Sequence, residues 1–469
     1  MASSPSAQPR RRGTDLTQGS VQKQLLGLGI FIALGVMMMM TTALADTYFV
    51  AQLGTHELAA LSFTFPVMMV VTCVAMGLGT GAVSVVARAV GEGDREAVRE
   101  LSTDAMLLGV IIVLVLSVAG YLTIEPLFTL LGAEPEVLPL IHRYMNVWYL
   151  GTMVQIVPQV GSAIIRAHGD TKSPSAIMAI SSLANIVFDP ILIFGLGPIP
   201  ALGLEGAALA GIFARLISLV GVLSVMHFGM RSLAPISADA ARIKASWGKL
   251  LHIGLPSTAT QLVTPVSMAI VTKIVASAGT VAIAAYGIAS RIEFFALIYI
   301  MAVSGSLGPF VGQNAGAGRM DRVQEGVRSA ARFAVAAGAL LALLLGVLAP
   351  AIVDRFTDDP AVMAVAVFYL RAVPWSWAPG GLVMVASQTL NSLARPLPAS
   401  AINLMRSVGV TVPFALVGLW VGGIQGAFIG LALSALVVGV IGNVWMRRVI
   451  GEEIERRAQA PQPLARAAE

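Results

Sequence analysis

LGTHELAALSF (Leu53–Phe63) returns as AGTVAIAAYGI (Ala278–Ile288), and ARAVGEGDRE (Ala87–Glu96) returns as GQNAGAGRMD (Gly312–Asp321). Gly54 to Gly279 and Gly91 to Gly316 are the same step along the chain, an offset of 225. One offset shared by two separate segments marks an internal duplication. The match continues with slippage, LEGAALAG (Leu204–Gly211) facing IQGAFIGL (Ile424–Leu431), where Gly206 and Gly426 are 220 apart.

Composition says what is duplicated. The chain has 469 residues, 57% hydrophobic and 12% charged, against the roughly 25% charged of soluble domains. Charged, Pro and Gly clusters cut it into about twelve apolar stretches, near 25–50, 57–85, 103–124, 140–165, 174–196, 204–228, 250–275, 282–310, 330–352, 362–390, 398–419 and 424–446. Most reach the ~20 residues that a spanning helix needs. Continuous apolar runs predict helices, whereas a barrel would show alternating segments of about ten residues. The fold class expected is an all-α membrane protein of about twelve transmembrane helices in two six-helix bundles. Six is even, so the halves keep one orientation and are parallel repeats, with substrate sites expected between them.

Lys and Arg sit in one alternating set of connections: Arg10–Arg12 and Lys23; Arg88, Arg95 and Arg99; Arg166 and Lys172; Arg231, Arg242, Lys244 and Lys249; Arg319, Arg322 and Arg328; Arg395; Arg447 and Arg448. The other set is nearly bare. By the positive-inside rule both termini are cytoplasmic, in a multi-pass protein of the cell's inner (plasma) membrane. The basic pI of 9.5 therefore reflects topology, and no nucleic-acid partner is expected. The expected organisation is a disordered cytoplasmic tail over 1–22, an N-lobe over 23–228, a cytoplasmic linker over 229–249, a C-lobe over 250–448 and a second tail over 449–469. Cys73 is the single cysteine, and His56, His142, His168, His227 and His252 show no ligand spacing. No internal disulfide, metal centre or cofactor is expected.

Two carboxylates interrupt the apolar pattern. Asp46 and Asp189 each lie eight residues before a glycine, Gly54 and Gly197, about 12 Å from the outer helix ends at ~1.5 Å per residue. A charge at the bilayer centre costs roughly 2.5–3.5 kcal/mol on insertion scales, so an intramembrane Asp marks a functional site unless it serves as interhelical glue. In the repeat register their partners are Val271 and Val412. The carboxylates belong to the N-terminal half alone, which common packing does not explain. Asn185 lies one turn from Asp189 on the same face, and Pro190 is expected to bend that helix. The three polar residues form a candidate cation or proton site.

At these residues the chain resembles the multidrug and toxic compound extrusion (MATE) family. The segments that carry the resemblance are ADTYFVAQLG (Ala45–Gly54), VARAVGEGD (Val86–Asp94), IRAHGDTKSP (Ile165–Pro174), NIVFDPILIFG (Asn185–Gly195), LEGAALA (Leu204–Ala210) and GPFVGQNAGAGRMDRV (Gly308–Val323). The resemblance implies a V-shaped pair of bundles and export of organic cations against H⁺ or Na⁺. It is nearest the branch typified by the DNA-damage-inducible F proteins, whose acidic pair matches Asp46 and Asp189. The sodium-coupled branch has carboxylates where this chain offers Gln261, Thr264, Gln388 and Asn391, and a family Thr falls at Gly211, which favours H⁺. No proline stands at Phe31, where the repeat places the partner of Pro256.

A possible C-lobe polar site gathers Gln261, Thr264, Lys273, Arg291, Glu293, Gln388 and Asn391, with Arg291 and Glu293 read as an ion pair. Arg215 and Arg406 read as snorkelling side chains, and Met37–Met40 as a run that faces lipid in part. Asp170 and Lys172 read as a cap and brace of the fifth helix. The function expected is secondary antiport of amphipathic or cationic organic compounds, multidrug efflux by alternating access, in a monomer that needs only the coupling ion and the bilayer. The alternative is a flippase for a lipid or lipid-linked glycan, which Lys273, Arg291 and Arg406 suit. An intramembrane enzyme lacks a nucleophile and base pair, HExxH or DDxxD in these helices.

Overall fold

The computed structural model describes residues 13–459. Among them no strand forms beyond an isolated bridge between Leu196 and Ile199. The helices are α1 (Val21–Ala51), α2 (Thr55–Glu92), α3 (Arg95–Leu122), α4 (Leu138–Ala167), α5 (Lys172–Phe194) and α6 (Leu204–Met230), then α7 (Ala240–Ala276), α8 (Thr280–Gly316), α9 (Met320–Val353) and α10 (Pro360–Ser392). Two more, α11 (396–421) and α12 (424–459), part at Gly422 and Gly423, where the backbone leaves helical geometry. A short helix, Ile124–Leu130, follows α3. Among the described residues ten helices are long and apolar enough to cross a bilayer, α11 and α12 counted as one and α4 not among the ten, and the chain is a multi-pass membrane protein.

The duplication is built into the backbone. The starts of α2 and α8, at Thr55 and Thr280, keep the offset of the repeat, as do those of α3 and α9 and the ends of α4 and α10. The turns repeat as well: Gly93 and Gly318 close α2 and α8 with φ of 77° and 73°, the left-handed region that glycine enters at little cost. Asp94 then caps α3, its carboxylate accepting from Ala97 N at 2.9 Å. Unlike α3, α9 begins without a side-chain cap.

The described residues divide into two compact units whose borders differ from the expected 228/250 boundary: unit 1 is 13–19 with 27–261, and unit 2 is 20–26 with 262–459. The first half of α7 therefore belongs to unit 1. Small residues are the reason. A Cβ on Gly77 would stand 2.8 Å from Gly254 O, and one on Gly81 2.6 Å from Leu250 O, so the α2 and α7 backbones meet as helices do when glycine removes the side chain between them. Polar contacts finish the junction. Arg242 bridges Glu100 at 2.9 Å and the buried Asp104 at 3.3 Å, and Trp247 Nε1 donates to Asp104 O at 3.0 Å. The expected linker is pinned too, with Arg99 Nε donating to Leu233 O and Ala234 N to Thr103 Oγ1.

Both expected tails are shorter than the sequence suggests. Residues 1–12 and 460–469 lie outside the described residues. Within 13–20, Leu16 is fully buried and the Thr14 carbonyl packs on Gly169. At the other end α12 runs on to residue 459, where Glu453 pairs with Arg457 at 2.8 Å and Arg457 Nη1 donates to Ala315 O at 2.6 Å. A buried leucine and an arginine hydrogen-bonded to the end of α8 hold segments that composition alone reads as solvated.

Candidate coupling site

Unit 1 brings the three predicted polar residues together. Asp46 and Asp189 each stand five residues before their helices end, at Ala51 and Phe194, about 7.5 Å at ~1.5 Å per residue and shallower than the glycine spacing suggests. The two carboxyl groups are neighbours, close enough to act on each other. Asn185 Nδ2 donates to Asp189 Oδ1 at 3.1 Å. Asp189 is 0% exposed and Asn185 6%, with Asp46 half-buried. Asp46 Oδ1 and Asp189 Oδ2 are buried and accept from no described donor. Ionised carboxylate oxygens only accept, so a contact between two carboxyl groups holds when a proton lies between them.

The supporting helices explain the placement. Ser175 Oγ donates to the carbonyl of Phe31, and Lys172 Nζ lies 5.3 Å from the centre of the Phe31 ring. α1 is thus tied to α5 one helix length away from the acids. At the far end Gly206 of α6 packs against the Leu192 carbonyl of α5, where a Cβ would collide with backbone. α5 runs unbroken through Pro190; the ring removes one N–H from the ladder beside Asp189. Asp170 accepts from Ser173 N at 3.0 Å and starts the helix.

Two residues complete the site that the sequence reading did not place there. Tyr144 of α4, 5% exposed, lies within electrostatic reach of both carboxylates, and its hydroxyl donates to Met68 Sδ at 3.8 Å. Arg215 of α6 acts on Asp46 and Tyr144, which corrects its reading as a snorkelling side chain. Its Nη1 lies 3.2 Å from the place a Cβ on Gly211 would take. The missing side chain at 211 is what leaves space for the guanidinium. Tyr144 had a signal in the sequence: the offset of the repeat carries it onto another tyrosine, Tyr369.

The residues gathered as a possible C-lobe site do not converge. Glu293 of α8 is the centre, but its partners are none of the other six: the Tyr369 hydroxyl donates to Oε2, Trp377 Nε1 donates to Oε1 at 3.1 Å, and Arg406 supplies the facing positive charge. Arg406 thus has a buried acid within electrostatic reach, which its reading as a snorkelling side chain left out. The expected Arg291–Glu293 pair is absent because residues two apart on one helix do not face each other; Arg291 is exposed. Thr264 and Lys273 are exposed, Gln388 is half-buried and Asn391 is 7% exposed. Gln261 falls in unit 1, its amide 3.5 Å from Met76 Sδ. No group of three or more His, Cys, Asp or Glu among the described residues could hold a metal ion.

A family model described as MatE matches residues 32–191 and 256–417, once in each half. The chain belongs to the MATE family. A relative from Shewanella oneidensis named as an FAD transporter is 36% identical over 91% of this chain and 94% of its own length. A probable multidrug resistance protein NorM from Thermotoga maritima is 22% identical over 88% and 89%. The bent form of the Vibrio cholerae MATE transporter VcmN superposes with a TM-score of 0.88 at 31% identity, covering 92% of this chain and 98% of that one. These MATE relatives are transporters, and the first half of the match contains Asp46, Asn185 and Asp189.

Proposed function

We propose that this chain is a secondary antiporter that exports amphipathic organic compounds in exchange for protons, with Asp46, Asn185 and Asp189 as the coupling site. The neighbouring carboxyl groups, each with a buried oxygen that no described donor reaches, are the observation that carries the reading. A proton between Asp46 and Asp189 leaves the pair with one negative charge, which Arg215 faces. Loss of that proton sets two anions against each other in a buried place, so proton release and rearrangement of α1 against α5 are coupled. Arg215 also argues for H⁺ over Na⁺: its charge repels a metal cation, whereas a proton is taken up covalently and needs no shell of oxygen ligands.

A second reading concerns the substrate. Arg291 lies eleven residues into α8, about 16 Å along the helix, too deep to snorkel to its start. It is exposed and unmatched by Glu293. Together with the name of the Shewanella relative, this supports an anionic, phosphate-bearing amphiphile as cargo, a flavin nucleotide or lipid-linked head group among them.

The test is transport in proteoliposomes under separately imposed H⁺ and Na⁺ gradients, with a cationic dye and FAD side by side, for wild type and Asp46→Asn. Movement that follows the H⁺ gradient and stops in the variant supports the coupling site. Equal transport by the variant, or dependence on Na⁺ alone, overturns it. Whichever cargo moves decides the second reading.

A further inference from the structure

At the end of unit 2 that carries Arg319 and Arg322, α9 and α12 enclose a cavity of about 520 Å³. Val327, Ala331, Met446 and Ile450 give it an apolar floor; Arg328, Arg332 and Arg447 stand at its rim. No carboxylate lines it. A neighbouring cavity of about 340 Å³ shares Arg328 and Arg332 and does include Asp321 and Glu325. Even so, the three arginines enter none of the ion pairs formed by described residues, and all three are exposed.

Depth tells what they face. Residues 333–353 of α9 and 424–446 of α12 contain no charged side chain. Arg332 precedes the first of these runs directly and Arg447 follows the second directly. Both therefore mark the edge of the hydrocarbon region, with Arg328 one turn further out. Met446 closes the apolar run from the hydrocarbon side, while Val327, Ala331 and Ile450 lie with the three unmatched arginines at the level of the head groups; a partly apolar, basic cavity at that level has the form of a lipid head-group site.

We propose that this cavity binds the head group of an anionic phospholipid, its phosphate held by Arg328, Arg332 and Arg447 and its acyl chains leaving past Met446 towards the charge-free runs of α9 and α12. Arginine suits the role because its planar fork grips phosphate oxygens in pairs, and basic pockets between membrane helices are known to take acidic head groups.

The test is native mass spectrometry of the full chain titrated with phosphatidylglycerol or phosphatidylcholine, for wild type, the three single Arg→Gln variants, the triple Gln variant and the triple Lys variant. Wild type is expected to prefer phosphatidylglycerol. Each Gln substitution should weaken that preference by about fivefold, and the Lys variant should retain part of it. Arg448→Gln, whose arginine already pairs with Glu452 at 3.0 Å, should match wild type. Unchanged phosphatidylglycerol binding in all three single variants overturns the proposal, as does equal binding of both lipids by wild type. Displacement of phosphatidylglycerol by millimolar inorganic phosphate would also overturn it, in favour of a soluble phosphate ligand. The single variants keep the question open to refutation should the triple variant fail to fold.

Discussion

Tyr144 and Tyr369 stand at one register of the two repeats, and their hydroxyls donate to side chains that share a register as well: Met68 in unit 1 and Glu293 in unit 2. The duplicated helices keep the tyrosine and its reach while the residue it meets changes from a thioether to a carboxylate. Unit 1 carries its acids elsewhere, at Asp46 and Asp189, where unit 2 has Val271 and Val412. Glu293 is held by two donors and faces Arg406. Asp46 and Asp189 each keep one oxygen with no described donor. One carboxylate is anchored and the other two are poised, on the same scaffold. Position within the repeat fixes packing; the occupancy of hydrogen bonds separates a structural acid from one suited to exchange protons.

The largest effect that would sharpen this contrast is expected from Asp189→Val, which gives unit 1 the residue unit 2 has. Gradient-driven transport should fall to the level of empty vesicles while the protein still folds, as read by thermal unfolding in detergent. Retention of gradient dependence would break the contrast outright. Next come Gly206→Ala and Gly426→Ala, repeat equivalents that each press on a backbone carbonyl, of Leu192 and of Gly418. Backbone cannot give way as a side chain can, so each should cost about 3 kcal/mol or more, seen as lost folded yield. Equal damage would show that packing is what the halves share; damage at one alone would show that the repeat is no longer read the same way.

Tyr369→Phe removes one of the donors to Glu293 and should cost about 1–3 kcal/mol with gradient dependence retained. Loss of coupling in that variant would make Glu293 a partner of Asp46 and Asp189 after all. The smallest effect is at His168, in the turn after α4. Burial holds its imidazole below the ordinary histidine value, so the neutral ring is favoured in the fold. The stability it lends is present above the unfolded value of about 6.5 and fades as pH falls through the lower folded value. Protection of the 13–20 amides, which pack on His168 and Gly169, should fall between pH 7 and 5 once the intrinsic slowing of exchange in acid is divided out; unchanged protection would remove His168 from that contact.

Helix count and duplication are legible in the sequence because hydropathy and a fixed offset are one-dimensional signals. The juxtaposition of Asp46, Asn185 and Asp189 is legible because charge is rare in apolar helices and Asn185 is one turn from Asp189. Tyr144, Tyr369 and Trp377 are harder to find, since an aromatic residue in an apolar helix reads as core until its hydroxyl or indole N–H has a partner. Arg215 is opaque for another reason: only Gly211, one turn away on the same helix, shows that its guanidinium has room beside the helix. The unit borders escape because the contact of Gly77 and Gly81 with Leu250 and Gly254 joins α2 to α7 across four intervening helices, and no local pattern marks it.

The assignment of 20–26 to unit 2 and of 240–261 to unit 1 bears on how the protein is made. Arg322 Nη2 donates to Gln24 Oε1 across 298 residues of chain. At roughly 5–20 residues per second the start of α1 waits about 15 to 60 s for the residue that receives it, and unit 1 cannot close its own face until α7 has left the ribosome. The first half is not a finished object at the moment its sixth helix is synthesised. Biogenesis is obliged to keep it open until the second copy arrives, so a truncated first repeat should be a substrate for membrane quality control and not half a transporter.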